Sequence, residues 1–151
     1  MLFRPPSPNN WFHEGNIRIH GIKPEDVAEA PTFEEILPEL LLFTDGLPML
    51  AHNASFDMGV LRASASAVNF DLPPLNYGCT LLMARKTYNL DSYRLNAIAY
   101  AIGHEDFNHH DALADADACA RIAINMAERH EVETLDELLI KTKQRLKPLV
   151  V

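Results

Sequence analysis

The sequence predicts an α/β domain with a partly parallel sheet. Three observations carry that expectation. Short apolar runs alternate with longer helix-patterned segments, two capping boxes mark helix starts, and one segment holds a sustained helical stripe. A chain of 151 residues with 48% hydrophobic content can bury one sizeable core, so residues 1–151 are expected to form a single domain.

Taken in order, residues 1–24 are rich in Pro, Asn and Gly without sustained periodicity, and an extended or looped segment is expected there. Thr32-Phe-Glu-Glu35 is a capping box opening a helix of about a dozen residues. Pro38 falls inside it and predicts a kink or an early-turn placement. Leu47 to His52 is a short apolar run between Gly46 and Asn53, read as a buried strand. Ala54 to Val68 then turns helical, with Phe56, Val60, Leu61 and Val68 on a partial apolar face. After Pro73-Pro74, Leu75 to Cys79 reads as a second strand, and 80–88 and 95–102 read as helices. Ala112, Ala116, Cys119, Ala123 and Met126 fall at i, i+4, i+7, i+11 and i+14, a stripe of small residues suited to lying close against a sheet. A second capping box, Thr134-Leu-Asp-Glu137, opens a last helix expected to carry Leu135, Leu138, Leu139 and Leu146.

Charge and cysteine content narrow the function. A formal charge of −8 excludes simple electrostatic adhesion to nucleic acid as the main binding principle. It leaves a nuclease open, because carboxylates offset by bound cations count as negative charge. Cys79 and Cys119 lie in apolar surroundings and form no C-x-x-C pair, which fits buried reduced thiols. No apolar run approaches the ~20 residues of a membrane span, and the N-terminus has no signal-peptide core. A cytoplasmic protein without membrane association is the expectation.

Two segments hold the candidate chemistry. Ala51-His-Asn-Ala-Ser-Phe-Asp57 and His110-Asp-Ala-Leu-Ala-Asp115 each place a carboxylate near the start of a helix, and the second adds a histidine five residues earlier. Carboxylates with one imidazole suit hard divalent cations and the activation of water against a phosphodiester. A helix N-terminus also favours carboxylates through its dipole, so Asp57 has a purely structural reading too. Asp115 is harder to explain that way, because Asp is a poor helix former in an apolar helix. Asp111 shares its face, while Asp117 points away and is expected to be solvated. His104, His109, His110 and Cys79 match no structural zinc spacing.

On these residues the chain resembles the DEDD exonucleases of the histidine subclass, similar to the proofreading subunit of bacterial DNA polymerase III. His52, Asn53, Phe56 and Asp57 match that family's second motif, His-Asn-x-x-Phe-Asp. His110, Ala112, Asp115 and Ala116 match its third, His-x-Ala-x-x-Asp-Ala. Ile19-His20-Gly21-Ile22 and Ser92-Tyr93-Arg94-Leu95 are similar to further recurring stretches, so the resemblance runs from about residue 4 to residue 128. It implies a ribonuclease H-like fold and a 3′–5′ exonuclease that hydrolyses phosphodiesters by a two-metal mechanism with Mg²⁺ or Mn²⁺. It also implies roles: Asp115 and Asp57 as metal ligands, His110 as general base, and Asn53, Phe56 and His20 as contacts to the terminal nucleotide. Phe56 has a second reading as core. The implied partners are a single-stranded or frayed nucleic-acid 3′ end and a polymerase.

The family's first motif, Asp-x-Glu-x-Thr, has no counterpart in the 18 residues before Ile19. The expectation is therefore a sheet lacking the fold's first two strands. Metal should bind weakly, since Asp57 and Asp115 alone are too few to hold two ions about 3.5–4 Å apart. An open sheet edge should promote self-association. The rival expectation is a non-catalytic remnant of the fold, serving as a binding or scaffold module.

Overall fold

The computed structural model describes residues 2–8, 10–104 and 111–150. The residues gather into two compact units. One comprises 1–47, 58–75 and 149–151, and the other 48–57 and 76–148.

The first unit is helical. Helix α1 (Glu14–His20) lies within the segment expected to be extended or looped. That expectation missed a local N-cap: His13 Nδ1 accepts from the Gly15 backbone N–H at 3.0 Å, and Gly21 at φ 75° ends the helix in the left-handed region. A 3₁₀ turn (Pro24–Val27) leads to α2 (Phe33–Thr44). Its capping box forms as expected: Thr32 Oγ1 accepts from Glu35 N–H at 3.3 Å, and Glu35 accepts from Thr32 N–H at 2.7 Å. Pro38 sits mid-helix on the exposed side rather than in the first turn. Phe33, Leu37 and Ala65 form this unit's core, with Leu41, Leu61, Val68, Phe70 and Leu72 packed around them. The Phe3 ring lies 5.6 Å from that of Phe33, so the N-terminal segment also contributes apolar cover.

The second unit carries a three-stranded sheet, order β1-β2-β3, built from β1 (Met49–Ala51), β2 (Leu75–Cys79) and β3 (Lys147–Leu149). β1 and β2 pair in parallel with Leu50 opposite Gly78 and Ala51 opposite Cys79, as the alternation of strand and helix predicted. Gly78 is there because the strands' side chains approach closely: a Cβ would lie 2.7 Å from Leu50 Cδ2 and 3.1 Å from Met83 Cε. β3 was not foreseen. Pro148 interrupts its pattern, and proline is tolerated in it because β3 takes an outer position, where a missing N–H costs no ladder bond.

Four helices complete this unit: α4 (Thr80–Thr87), α5 (Leu95–Ala101), α6 (Ala112–Arg129) and α7 (Leu135–Lys141). Helix α3 (Ser55–Ala67) starts here and ends in the first unit. Met83, Ala84, Ile98, Ile122, Met126, Leu138 and Leu139 form the core, so α6 packs as the central element between α4, α5 and α7. Fully burying each large side chain in this set contributes about 1.5–3 kcal/mol. The expected stripe holds over the later part of the helix and not at its start. Cys119 and Met126 are buried and Ala123 packs on the core, joined by Ala118 and Ile122, whereas Ala112 and Ala116 are exposed. Leu146 lies beyond the end of α7, between it and β3, although it still packs on the core.

The observed register of α6 makes a direct prediction. Ile122→Ala should lower the unfolding free energy by about 2–5 kcal/mol. Ile124→Ala, two residues on and exposed, should stay within about 0.5 kcal/mol of the parent. Urea unfolding monitored by circular dichroism separates the two, and equal losses would place the buried face elsewhere.

Candidate functional site

β1 delivers the first motif segment. The chain leaves the strand at His52, turns through Asn53 at φ 71°, and enters α3, with the Phe56 N–H bonded to Asn53 O at 2.9 Å. Asparagine is one of the few residues that tolerates the left-handed region, so Asn53 has a backbone reason to be where it is. Asp57 follows in the first turn of α3. Phe56 is 70% exposed, so the core reading fails. Val60 is exposed as well; of the expected apolar face Leu61 and Val68 pack on the core, beside the buried Met58 and Ala65.

His52 was matched to a motif without an assigned role, and its role in the structure is mechanical. Its Nε2 lies 2.9 Å from Tyr93 O and its Nδ1 lies 3.0 Å from Thr80 Oγ1. A carbonyl only accepts, so Nε2 carries the proton and Nδ1 accepts from the Thr80 hydroxyl. Thr80, fully buried at the start of α4, also lies 3.3 Å from Ala51 O and 3.4 Å from Cys119 Sγ. With the threonine proton on His52, the Cys119 thiol donates to Thr80 Oγ1. The chain Cys119–Thr80–His52–Tyr93 thus ties α6, α4, the end of β1 and the loop before α5 together. Burial lowers the His52 pKa below its ordinary value, against the raising effects of the Tyr93 carbonyl and Asp57. Burial likewise raises the Cys119 thiol, with Asp57 and Cys79 adding to the rise. The network is therefore neutral at physiological pH.

Asp57 acts electrostatically on both His52 and Cys119. Its side chain reaches solvent, yet desolvation by its surroundings raises its carboxyl above the ordinary value, outweighing its own backbone hydrogen bond and His52. Asp115 sits half-buried at the end of the first turn of α6, one turn before Cys119 on the same side. Both carboxylates therefore border the Cys119 neighbourhood. Asp111 is a cap: its Oδ1 accepts from the Leu113 and Ala114 N–H groups, each at 3.0 Å. Asp117, expected to be solvated, pairs with Arg121 at 2.6 Å and lies 3.5 Å from His104 Nε2. His110, the expected general base, lies outside the described residues with the rest of 105–110. His20 ends α1 in the first unit, where its Nδ1 accepts from Ile22 N–H at 2.9 Å.

A cleft of about 600 Å³ opens beside the Asn53 turn, lined by His52, Asn53, Leu81, Arg85 and the 91–95 segment. Sequence reasoning did not find Arg85 or Arg94 as a pair, because they are nine residues apart on different elements.

The model of the RNase T family, described as exonuclease, matches residues 5–123. The chain belongs to this exonuclease family. It is 32% identical over 114 residues to the DNA polymerase III subunit epsilon of Escherichia coli, covering 72% of this chain and 47% of that protein. It is 31% identical over 135 residues to a PolC-type DNA polymerase III of Caldanaerobacter subterraneus subsp. tengcongensis, covering 89% of this chain and 9% of that one. The chain thus spans less than half the length of either relative. Exonuclease X, solved in complex with 5′ overhanging duplex DNA, superimposes with a TM-score of 0.71 at 24% identity, over 94% of this chain and 79% of its own. That likeness shows the fold: the chain has the ribonuclease H-like α/β architecture that the resemblance implied. Among the described residues, no helix is long and apolar enough to cross a membrane.

Two predictions follow from the buried network. Thr80→Val keeps the shape but leaves His52 Nδ1 without its donor, and should cost about 1–3 kcal/mol in unfolding free energy, with Thr80→Ser costing less. The second concerns pH. His52 is held neutral in the fold, so as pH falls below 6.5 the unfolded chain takes up a proton that the folded chain refuses. Its contribution therefore lowers stability on acidification through that value, until the folded imidazole itself titrates. Thermal melts of the parent and His52→Gln across this range should show a shallower acid limb in the variant, and parallel profiles would remove His52 as the cause.

Proposed function

We propose that this chain carries a metal-dependent 3′–5′ exonuclease site acting on the end of a single-stranded or frayed nucleic acid. The observation that most supports the reading is the placement of Asp57. It stands just past the carboxyl end of a parallel strand, with its carboxylate destabilised by its surroundings and close enough to influence Cys119, one turn from Asp115. A carboxylate in that condition gains from a nearby cation.

The donor chemistry fits a hard ion. Mg²⁺ and Mn²⁺ take oxygen ligands, and Mg²⁺ commonly binds through one or two carboxylates plus substrate phosphates and retained waters. Asp57 and Asp115 would supply those carboxylates. Such an ion offers Lewis-acid stabilisation of charge on the phosphodiester. Among the described residues no three His, Cys, Asp or Glu side chains gather into a metal-holding group, so the proposed affinity is weak, on the order of millimolar. In this reading His110 accepts the proton of the attacking water, a task suited to an imidazole titrating near neutrality. Exposed Phe56 offers a ring face to the terminal base, and Asn53 offers a polar contact. A polymerase partner is proposed on the strength of the polymerase III relatives.

The same lack of a third ligand among the described residues favours a second reading, a binding module that keeps the fold without turnover. A single-stranded oligonucleotide labelled at one end, incubated with Mn²⁺, separates them. Mononucleotides released stepwise from the 3′ end, stopped by EDTA, are expected of the nuclease. His110→Ala should then lower the rate by about 10²–10⁴, and Asp115→Ala should abolish it. Binding without release at saturating Mn²⁺ would replace the enzyme by the module. Asp57→Asn should weaken Mn²⁺ binding in calorimetry. It should also raise the melting temperature at neutral pH, because the ionised carboxylate is penalised there and the amide is not.

A further inference from the structure

The cleft beside Asn53 holds a charge pattern that the proposed chemistry does not use. His52 and Asn53 follow β1, and Leu81 follows β2, so the cleft opens outside the carboxyl ends of a parallel strand pair. Open α/β sheets bind ligands in that position. Its volume of about 600 Å³ is in the range of ligand sites.

Several lining groups are already committed. Both His52 nitrogens are bonded, the Tyr93 hydroxyl donates to Tyr88 O at 2.8 Å, and Ser92 Oγ lies 3.4 Å from the Arg94 N–H. What remains to meet a ligand is Arg85 from α4, Arg94 from the turn before α5, the Asn53 amide and Asp91. Both arginines are exposed, and neither forms an ion pair within 4 Å among the described residues. Two arginines line one cleft in a chain of net charge −8, and an anion seated there would be held by both guanidinium groups. Asn53 is also the residue proposed to contact the terminal nucleotide, so the cleft continues from that end.

We infer that Arg85 and Arg94 form a phosphate subsite that seats the backbone of the nucleic-acid strand behind the nucleotide being removed. The inference rests on the nuclease reading and names where the strand runs. The guanidinium groups would contact phosphate oxygens, which fixes the strand's register without reading its bases. Asp91 sits in the same cleft and opposes the strand, limiting its grip so that it can advance between cleavages.

Fluorescence anisotropy with a labelled oligothymidylate of about 12 nucleotides tests this without turnover, in EDTA, over a salt series. Each phosphate contact contributes about 0.7 to the slope of log K against log salt for a single strand. Arg85→Ala and Arg94→Ala should each weaken binding and lower the slope by about that amount. Asp91→Asn should tighten binding, an effect that damage to the fold would not produce. Arg121→Ala, outside the cleft, should leave both quantities unchanged. Thymidine monophosphate in equal concentration should fail to displace the strand; displacement would reassign the cleft to a free nucleotide. Strand binding by the parent with slopes unmoved by Arg85→Ala and Arg94→Ala would overturn the subsite and leave the nuclease reading standing. A parent that neither binds nor degrades the strand would overturn both.

Discussion

The arrangement of the second unit depends on one hydrogen-bonded chain, Cys119–Thr80–His52–Tyr93. Its members come from α6, α4, the end of β1 and the loop before α5, four segments that have no local reason to meet. Thr80 is fully buried, so its hydroxyl must be bonded or the fold forfeits its hydration. A neutral imidazole satisfies it on one side and passes the polarity to a carbonyl on the other. The turn carrying Asn53, Phe56 and Asp57 is then fixed from behind, because its first residue is held at both ring nitrogens. A site on such a turn inherits its precision from the buried bonds beneath it.

The carboxylates of the two motif segments show how environment divides identical groups. Asp111 spends its charge on two backbone N–H groups at the start of α6 and is accounted for by helix termination alone. Asp57, inside the first turn of α3 rather than at its cap, has its carboxyl raised above the ordinary value by desolvation, which outweighs its own backbone hydrogen bond and His52. That imbalance, rather than the presence of an acid in a motif, distinguishes a candidate ligand from a cap. The paired arginines of the neighbouring cleft are the complementary case, cations brought together without a carboxylate in ion-pair contact.

The local elements were legible where a single physical signal dominated. Both capping boxes formed, because side chain and backbone donors sit within four residues of each other and need nothing else. β2 matched its expected limits, since Pro74 precedes it and α4 begins directly at Thr80. Errors arose where the deciding partner was remote. α1 was hidden by the weak periodicity of a short helix, and β3 by its proline. On α6 the expected face holds at Cys119, Ala123 and Met126, but burial is set by what the neighbours fill: Ile122 also reaches the core shared with α4, α5 and α7, while Ala112 and Ala116 face out. Phe56 was weighed as core on hydrophobicity, yet α3 buries Met58 and Ala65 instead.

By itself the sequence determined the α/β class with a partly parallel sheet, the family, and the identity of Asp57, Asp115 and His110 as residues to consider. Those follow from short-range patterns: period, caps, and motif spacing along the chain. Only the tertiary structure decided which of these groups are committed and which are exposed to chemistry. It converted His52 from a motif letter into a clamp, Asp111 into a cap, and Arg85 and Arg94 into neighbours across a cleft. The reason is that desolvation and hydrogen-bond satisfaction are properties of position in space, and four of the segments that fix them lie tens of residues apart in the chain.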